Sequence, residues 1–212
     1  MLRRRRFLRS CLGVVATIAV AAGGGLASAA RADDYGDGTK VFIKALAENA
    51  IASLTVKDLS KRERDRRFRS LMLDNFAISG IAKFVLGRHW PRATDQEKTE
   101  YLKLFEDLMV ATYAERFSKY AGETLEVEQA EVRGEHDVIV YSTIKRVDGT
   151  EPIKVAWRVR GKPGGFKIVD VIVEGISMVQ TQKSEFASFI QQHDGNLGAL
   201  LTEIRKRIQA NT

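Results

Sequence analysis

Between residues 94 and 174 the apolar residues change period, and that change constrains the fold class. Tyr101, Leu104, Phe105, Leu108, Met109, Tyr113, Phe117 and Tyr120 form one wide stripe at helical spacing. Thr94-Asp95-Gln96-Glu97 is a capping box that starts this helix, which would run about 40 Å to Tyr120. From Leu125 the period drops to two. Residues 125–132, 138–147, 153–160 and 166–174 read as four strands. Gly134-Glu135-His136-Asp137, Asp148-Gly149 and Lys162-Pro163-Gly164-Gly165 supply the turns between them. Ile153, Val155, Trp157 and Val159 alternate with Lys154, Ala156, Arg158 and Arg160, so this strand is apolar on one face and largely cationic on the other. Helices, an antiparallel meander and further helices make an α+β domain with helices packed over one face of the sheet.

The first 32 residues read as a signal peptide rather than as part of that domain. Arg3 to Arg6 and Arg9 form a basic head, an apolar stretch runs from Leu12 to Leu26, and Ala30-Arg31-Ala32 offers a cleavage site before Asp33. The stretch is too short and too glycine-interrupted to span a bilayer. Arg4-Arg5-Arg6-Phe7-Leu8-Arg9 also resembles the twin-arginine consensus, so a Sec route and a twin-arginine route both stay open. The expected product is one domain, residues 33–212, soluble in the periplasm. Cys11 is not set in a lipobox, and the only cysteine leaves with the signal, so no disulfide or thiolate metal site is expected. Six of the 34 basic residues and none of the 27 acidic ones precede Asp33, which leaves 28 against 27. The basicity of the whole chain therefore belongs to the signal and gives no support for nucleic acid as a partner.

Residues 39–54, 61–74 and 78–86 read as helices, with residues 33–38 a frayed start and Gly87 a C-cap. Lys61-Arg62-Glu63-Arg64-Asp65-Arg66-Arg67 has the look of a binding patch. Glu63 faces Arg67 and Asp65 faces Arg69 at i,i+4, however, which favours a solvated face. Ser177-x-x-Gln180 is a second capping box, followed by a helix with Val179, Phe186 and Ile190. Gly195 breaks it before a last helix with Leu197, Leu200, Leu201, Ile204 and Ile208.

Chemistry-bearing residues are sparse. His89, His136 and His193 do not converge, and no metal-ligand spacing, nucleophile motif or phosphate loop occurs, so no metal or cofactor is expected. Asp170 sits inside Ile168-Val169-Asp170-Val171-Ile172-Val173. In an apolar cavity such an acid is a general base of the isomerase or dehydratase type, acting on a small apolar substrate. If its valine neighbours face inward, Asp170 faces away and is structural. Trp157 is either plain core or the lining of a cavity, and spacing does not decide between them.

The run from Phe76 to Trp90, FAISGIAKFVLGRHW, resembles a signature of the MlaC family of periplasmic phospholipid-binding proteins, also called toluene-tolerance auxiliary components, which has a hopanoid-associated branch. The likeness continues through the helix start at Thr94 to Glu97, through FKIVDVIVEGIS from Phe166 to Ser177, and through Ser184 to Ile190 with His193-Asp194-Gly195. The resemblance implies a twisted antiparallel sheet of about four strands with helices packed over it, enclosing an apolar cavity. It implies a monomeric, non-enzymatic carrier that moves phospholipid between an outer-membrane lipoprotein/porin complex and the lipid-binding ring of an inner-membrane ABC transporter, maintaining outer-membrane lipid asymmetry. Hopanoid or sterol is the alternative cargo.

Two acyl chains carry about 30 methylenes at about 0.8 kcal/mol each, so their exposure to water would cost roughly 24 kcal/mol. A soluble carrier must therefore enclose both tails. The expected wall is Val155, Trp157, Val171 and Val173 on the sheet against Ile81, Val85, Leu108, Met109 and Tyr113 on the helices.

Overall fold

A computed structural model describes residues 24–161 and 165–211, with side chains from residue 35 onward. The basic head, most of the apolar stretch and Cys11 lie outside the described residues. The described chain forms α1 (Gly24–Leu54), α2 (Lys61–Asn75), α3 (Ile78–Leu86), α4 (Asp95–Tyr113), β1 (Thr124–Gly134), β2 (Asp137–Lys145), β3 (Ile153–Arg160), β4 (Lys167–Val173), β5 (Ile176–Ser177), α5 (Met178–Gln192) and α6 (Leu197–Ala210). Short 3-10 turns occupy Gly87–Arg92 and Ala114–Lys119. Among the described residues no helix is long and apolar enough to cross a membrane.

The sheet is an antiparallel meander in the order β1-β2-β3-β4-β5. Its fifth strand is two residues long and was not expected from the sequence. Glu174 and Gly175 make it possible: both take positive φ, 48° and 80°, in a two-residue turn that returns Ile176 onto Val173. Cross-strand register places Val138, Val140, Ser142 and Ile144 opposite Val159, Trp157, Val155 and Ile153, and Val155 and Trp157 opposite Val173 and Val171. These residues share one face, as the alternation requires. Arg158 opposite Asp170 and Ala156 opposite Ile172 lie on the other.

α1 covers the apolar face. Phe42, Ile43 and Leu46 pack with Val138, Val140, Val159 and Ile168, and Ile43 is 1% exposed. Residues 33–38 are not frayed as expected but helical, within α1. Tyr35 stands edge-on to Phe166 and donates to the Gly161 carbonyl, and the buried Thr39 hydroxyl donates to the Gly36 carbonyl at 2.7 Å. Contacts with the sheet thus hold a helix that Gly36, Asp37 and Gly38 disfavour locally.

The remaining helices build a separate core. α3, α4, α5 and α6 bury Ala82, Val85, Tyr101, Leu104, Phe105, Leu108, Phe186, Ile190, Leu200 and Ile204 in a cluster that contains no strand residue. The Thr94 capping box is formed in both directions and starts α4 as predicted. The helix is shorter than expected: α-geometry ends at Tyr113 and tightens to a 3-10 turn through Lys119. The bundle meets the sheet along β4, where the Ala77 N–H donates to the Ile168 carbonyl at 2.9 Å.

Charges fix α2 against α4 and order the outer face of the sheet. Glu63 pairs with Arg67 at 2.8 Å, as the spacing predicts. Asp65 pairs with Lys61 instead of Arg69, because Arg69 reaches across to Glu106 and Asp107 on α4. The cationic face of α2 is therefore in part a helix-helix clamp. On the outer sheet face, hydrogen bonds from Arg158 and, behind an opposing burial effect, from Arg160 hold the Asp137 carboxyl below its ordinary pKa.

Candidate apolar cleft between sheet and helix bundle

A third apolar cluster joins the two lobes. Met72, Val110 and Ala114 are buried there, and Phe68, Phe76, Ile78 and Met109 pack on them. Phe76 also packs on the sheet cluster, while Ile78 and Met109 also pack on the bundle. This seam is where sheet side chains and bundle side chains approach one another.

The residues expected to form one wall divide across it. Ile81, Val85, Leu108 and Met109 belong to the bundle cluster, and Trp157 and Val171 to the sheet cluster. Val85 and Leu108 are buried, at 1% and 4% exposed, whereas Ile81, Met109, Tyr113, Trp157, Val171 and Val173 are half-buried. Val155, at 4% exposed, borders a hollow of about 280 Å³ that Tyr141, Thr143, Ala156 and Ile172 also line. A second hollow, of about 560 Å³, opens between Val41 and Phe42 of α1, Asp74 and Asn75 at the end of α2, and Phe166 and Lys167. The half-buried set is the informative one. Six apolar side chains, three on the sheet and three on the helices, keep part of their surface uncovered.

One polar residue stands on the apolar sheet face. Ser142 is 3% exposed; its hydroxyl donates to the Val155 carbonyl at 2.9 Å and accepts the Trp157 indole N–H at 2.9 Å. Both polar groups are satisfied, so the Trp157 ring is held in one orientation against the sheet cluster. The sequence reading passed over Ser142, although it is the polar interruption in Val138, Val140, Ser142, Ile144. Phe76 and Ile78, within the run that carries the family resemblance, are not in the expected wall; their place in the seam depends on how α3 meets β4.

Asp170 lies on the sheet face away from Val171. Its carboxylate accepts from the Ser177 hydroxyl at 2.6 Å and the Val179 N–H at 3.2 Å, while Ser177 caps the Gln180 N–H at 3.0 Å. It thus secures the N-terminus of α5, where a negative charge is favoured by the helix dipole. Asp170→Asn is expected to cost about 1 kcal/mol and to lower the thermal midpoint by roughly 2–4 °C. Lipid loading should not change, and thermal melts with mass spectrometry of the two proteins check both halves. The histidines serve local ends: His193 stacks on Phe189 at 4.1 Å, His136 sits in the β1–β2 turn and His89 in the turn after α3. Among the described residues no group of three His, Cys, Asp or Glu side chains could hold a metal ion.

An α1-covered antiparallel meander joined along β4 to a four-helix bundle, with an apolar seam between them, defines an α+β protein. The family whose description reads "MlaC protein" matches residues 44–206, and the chain belongs to that family. It is 22% identical over 125 residues to the intermembrane phospholipid transport system binding protein MlaC of Haemophilus influenzae, a stretch covering 58% of this chain and 58% of that protein. Its fold is similar to that of a phospholipid-binding protein from Ralstonia solanacearum solved in complex with a phospholipid. There the TM-score is 0.73 at 22% identity, covering 81% of this chain and 97% of the other.

Proposed function

We propose that this protein is a periplasmic phospholipid carrier that works by enclosing and releasing its cargo, without catalysis or cofactor. The observation that carries the reading is the set of half-buried apolar side chains: Trp157, Val171 and Val173 on the sheet, and Ile81, Met109 and Tyr113 on the helices. Acyl tails inserted between sheet and helices would cover both groups, with Val85, Leu108 and Val155 backing the wall. Both similar proteins are phospholipid-binding or phospholipid-transport proteins by name, which supports the same reading. In this reading the signal peptide is removed before Asp33. The carrier then moves lipid between an outer-membrane lipoprotein/porin complex and the lipid-binding ring of an inner-membrane ABC transporter.

Native mass spectrometry of the freshly purified mature protein tests it. The expected result is a complex with one bound lipid, identified as a glycerophospholipid after organic extraction. A lipid-free protein that also takes up nothing from phospholipid vesicles would overturn the reading, and a bound hopanoid or sterol would replace the cargo.

A further inference from the structure

The end of α3 and the 3-10 turn after it gather cations around aromatic rings. The Lys83 ammonium lies 5.3 Å from the centre of the Trp90 ring, and Lys98 sits over the same ring at 5.9 Å. Lys183, from α5, lies 4.1 Å from the centre of the Phe84 ring. Arg88 Nε is 3.4 Å from His89 Nε2. Burial, and then the charges of Arg88 and Arg92, hold the His89 pKa below its ordinary value, so both arginines are close to it. Lys83, Phe84, Arg88 and Arg92 are exposed, Phe84 at 44%. Asp95 reaches Lys98 at 3.4 Å. Among the described residues, Lys83, Arg88, Arg92 and Lys183 have no carboxylate within ion-pair distance. Residues 33–212 are otherwise close to charge balance, so this is a local excess.

We infer that this patch docks the protein on anionic lipid headgroups at a membrane surface. A headgroup layer carries mobile negative charge that four unpaired cations can meet without fixed geometry. An exposed aromatic ring flanked by a lysine suits the same interface: the Phe84 ring can sink among the headgroups while Lys183 keeps its ammonium in water. An acidic protein face would match the cations but would leave the exposed ring unexplained. α3 also carries Ile81 and Val85, so docking here would bring the proposed lipid seam to the membrane, a consequence that rests on the carrier reading.

The test is cosedimentation of the mature protein with vesicles of phosphatidylcholine, with and without one third phosphatidylglycerol. The parent should bind the anionic vesicles and release them in high salt. Lys83→Glu, Arg88→Glu and Arg92→Glu together should lower binding about a hundredfold, at about fivefold per cation. A control with the same net charge, Lys44→Glu, Lys57→Glu and Arg62→Glu, should retain most of it. Phe84→Ser, at an exposed position, should weaken binding and leave the fold unchanged by circular dichroism. Lipid content by native mass spectrometry should match the parent in every variant, so a failure of docking is distinguishable from a failure of the carrier reading. Equal binding to both vesicle types, or equal loss in the control, would overturn the proposal. Binding to neither would also overturn it and leave an acidic protein face as the partner.

Discussion

Val171→Glu is expected to fold and to purify without lipid. Val171 is half-buried in the sheet cluster, opposite Trp157 in register, and belongs to the proposed lipid wall. In the empty protein the new carboxylate can reach water, so stability should fall modestly. With acyl tails in place it would be desolvated without a partner, at a cost of several kcal/mol. That is enough to lower lipid occupancy by more than a hundredfold, or to force the group neutral. Met109→Glu should act in the same way from the bundle side, because Met109 packs in both the seam and the bundle clusters. Lys154→Glu is the control: its exposed side chain lies on the opposite sheet face, and lipid should be retained. Leu108→Arg is a poor wall probe, since Leu108 is 4% exposed inside the bundle and a charge there should unfold it. Native mass spectrometry with circular dichroism decides. If both glutamate variants fold and carry as much lipid as the parent, the seam is not the binding site.

The sheet was legible because period two dictates faces. Once residues 153–160 alternate, Val155, Trp157 and Val159 must share a side, and register then brings Val171 and Val173 beside them. Which helix covers that side is not written in any period. The stripe on α4 matches an apolar sheet face as well as the stripe on α1 does, yet Phe42, Ile43 and Leu46 of α1 take the place. α4 spends its stripe on α3, α5 and α6, and only Met109 and Val110 reach the seam. The expected wall therefore does not fall in one cluster: its members spread over three, and Val155, Val173 and Tyr113 belong to none of them. The early start of α1 was illegible for a related reason: glycine and aspartate predict a loop, and the Tyr35 contacts with Phe166 and Gly161 are tertiary. The 3-10 turn at the end of α4 leaves Phe117 on helical spacing, so the pattern alone extends the helix too far. Asp170 could be read because its neighbours alternate; that its partners are Ser177 and the start of α5 depended on the Glu174-Gly175 turn.

Tyr101→Ala should be the most damaging single truncation in the bundle, at about 3–5 kcal/mol. Tyr101 is fully buried and joins three helices and a turn. Its ring centre lies 5.9 Å from that of Phe105, 6.4 Å from that of Phe186 on α5 and 6.4 Å from that of Trp90. Its hydroxyl donates to the Ala82 carbonyl of α3 at 2.9 Å, and burial raises its pKa. Truncation removes the ring contacts, leaves a cavity and strips that carbonyl of its donor. Tyr101→Phe keeps the rings and loses only the donor, for about 1–2 kcal/mol. Thermal midpoints should therefore fall by roughly 10 °C for the alanine variant and by roughly 2–8 °C for phenylalanine. The order has a functional consequence, because Tyr101 fixes α4 against α3 and those two helices carry Met109 and Ile78 to the seam. Lipid retention should follow the same ranking at temperatures where both variants are still folded. Equal midpoints for the two variants would show that the aromatic packing around Tyr101 adds nothing beyond its hydrogen bond, and that the bundle margin of the seam is held by something else.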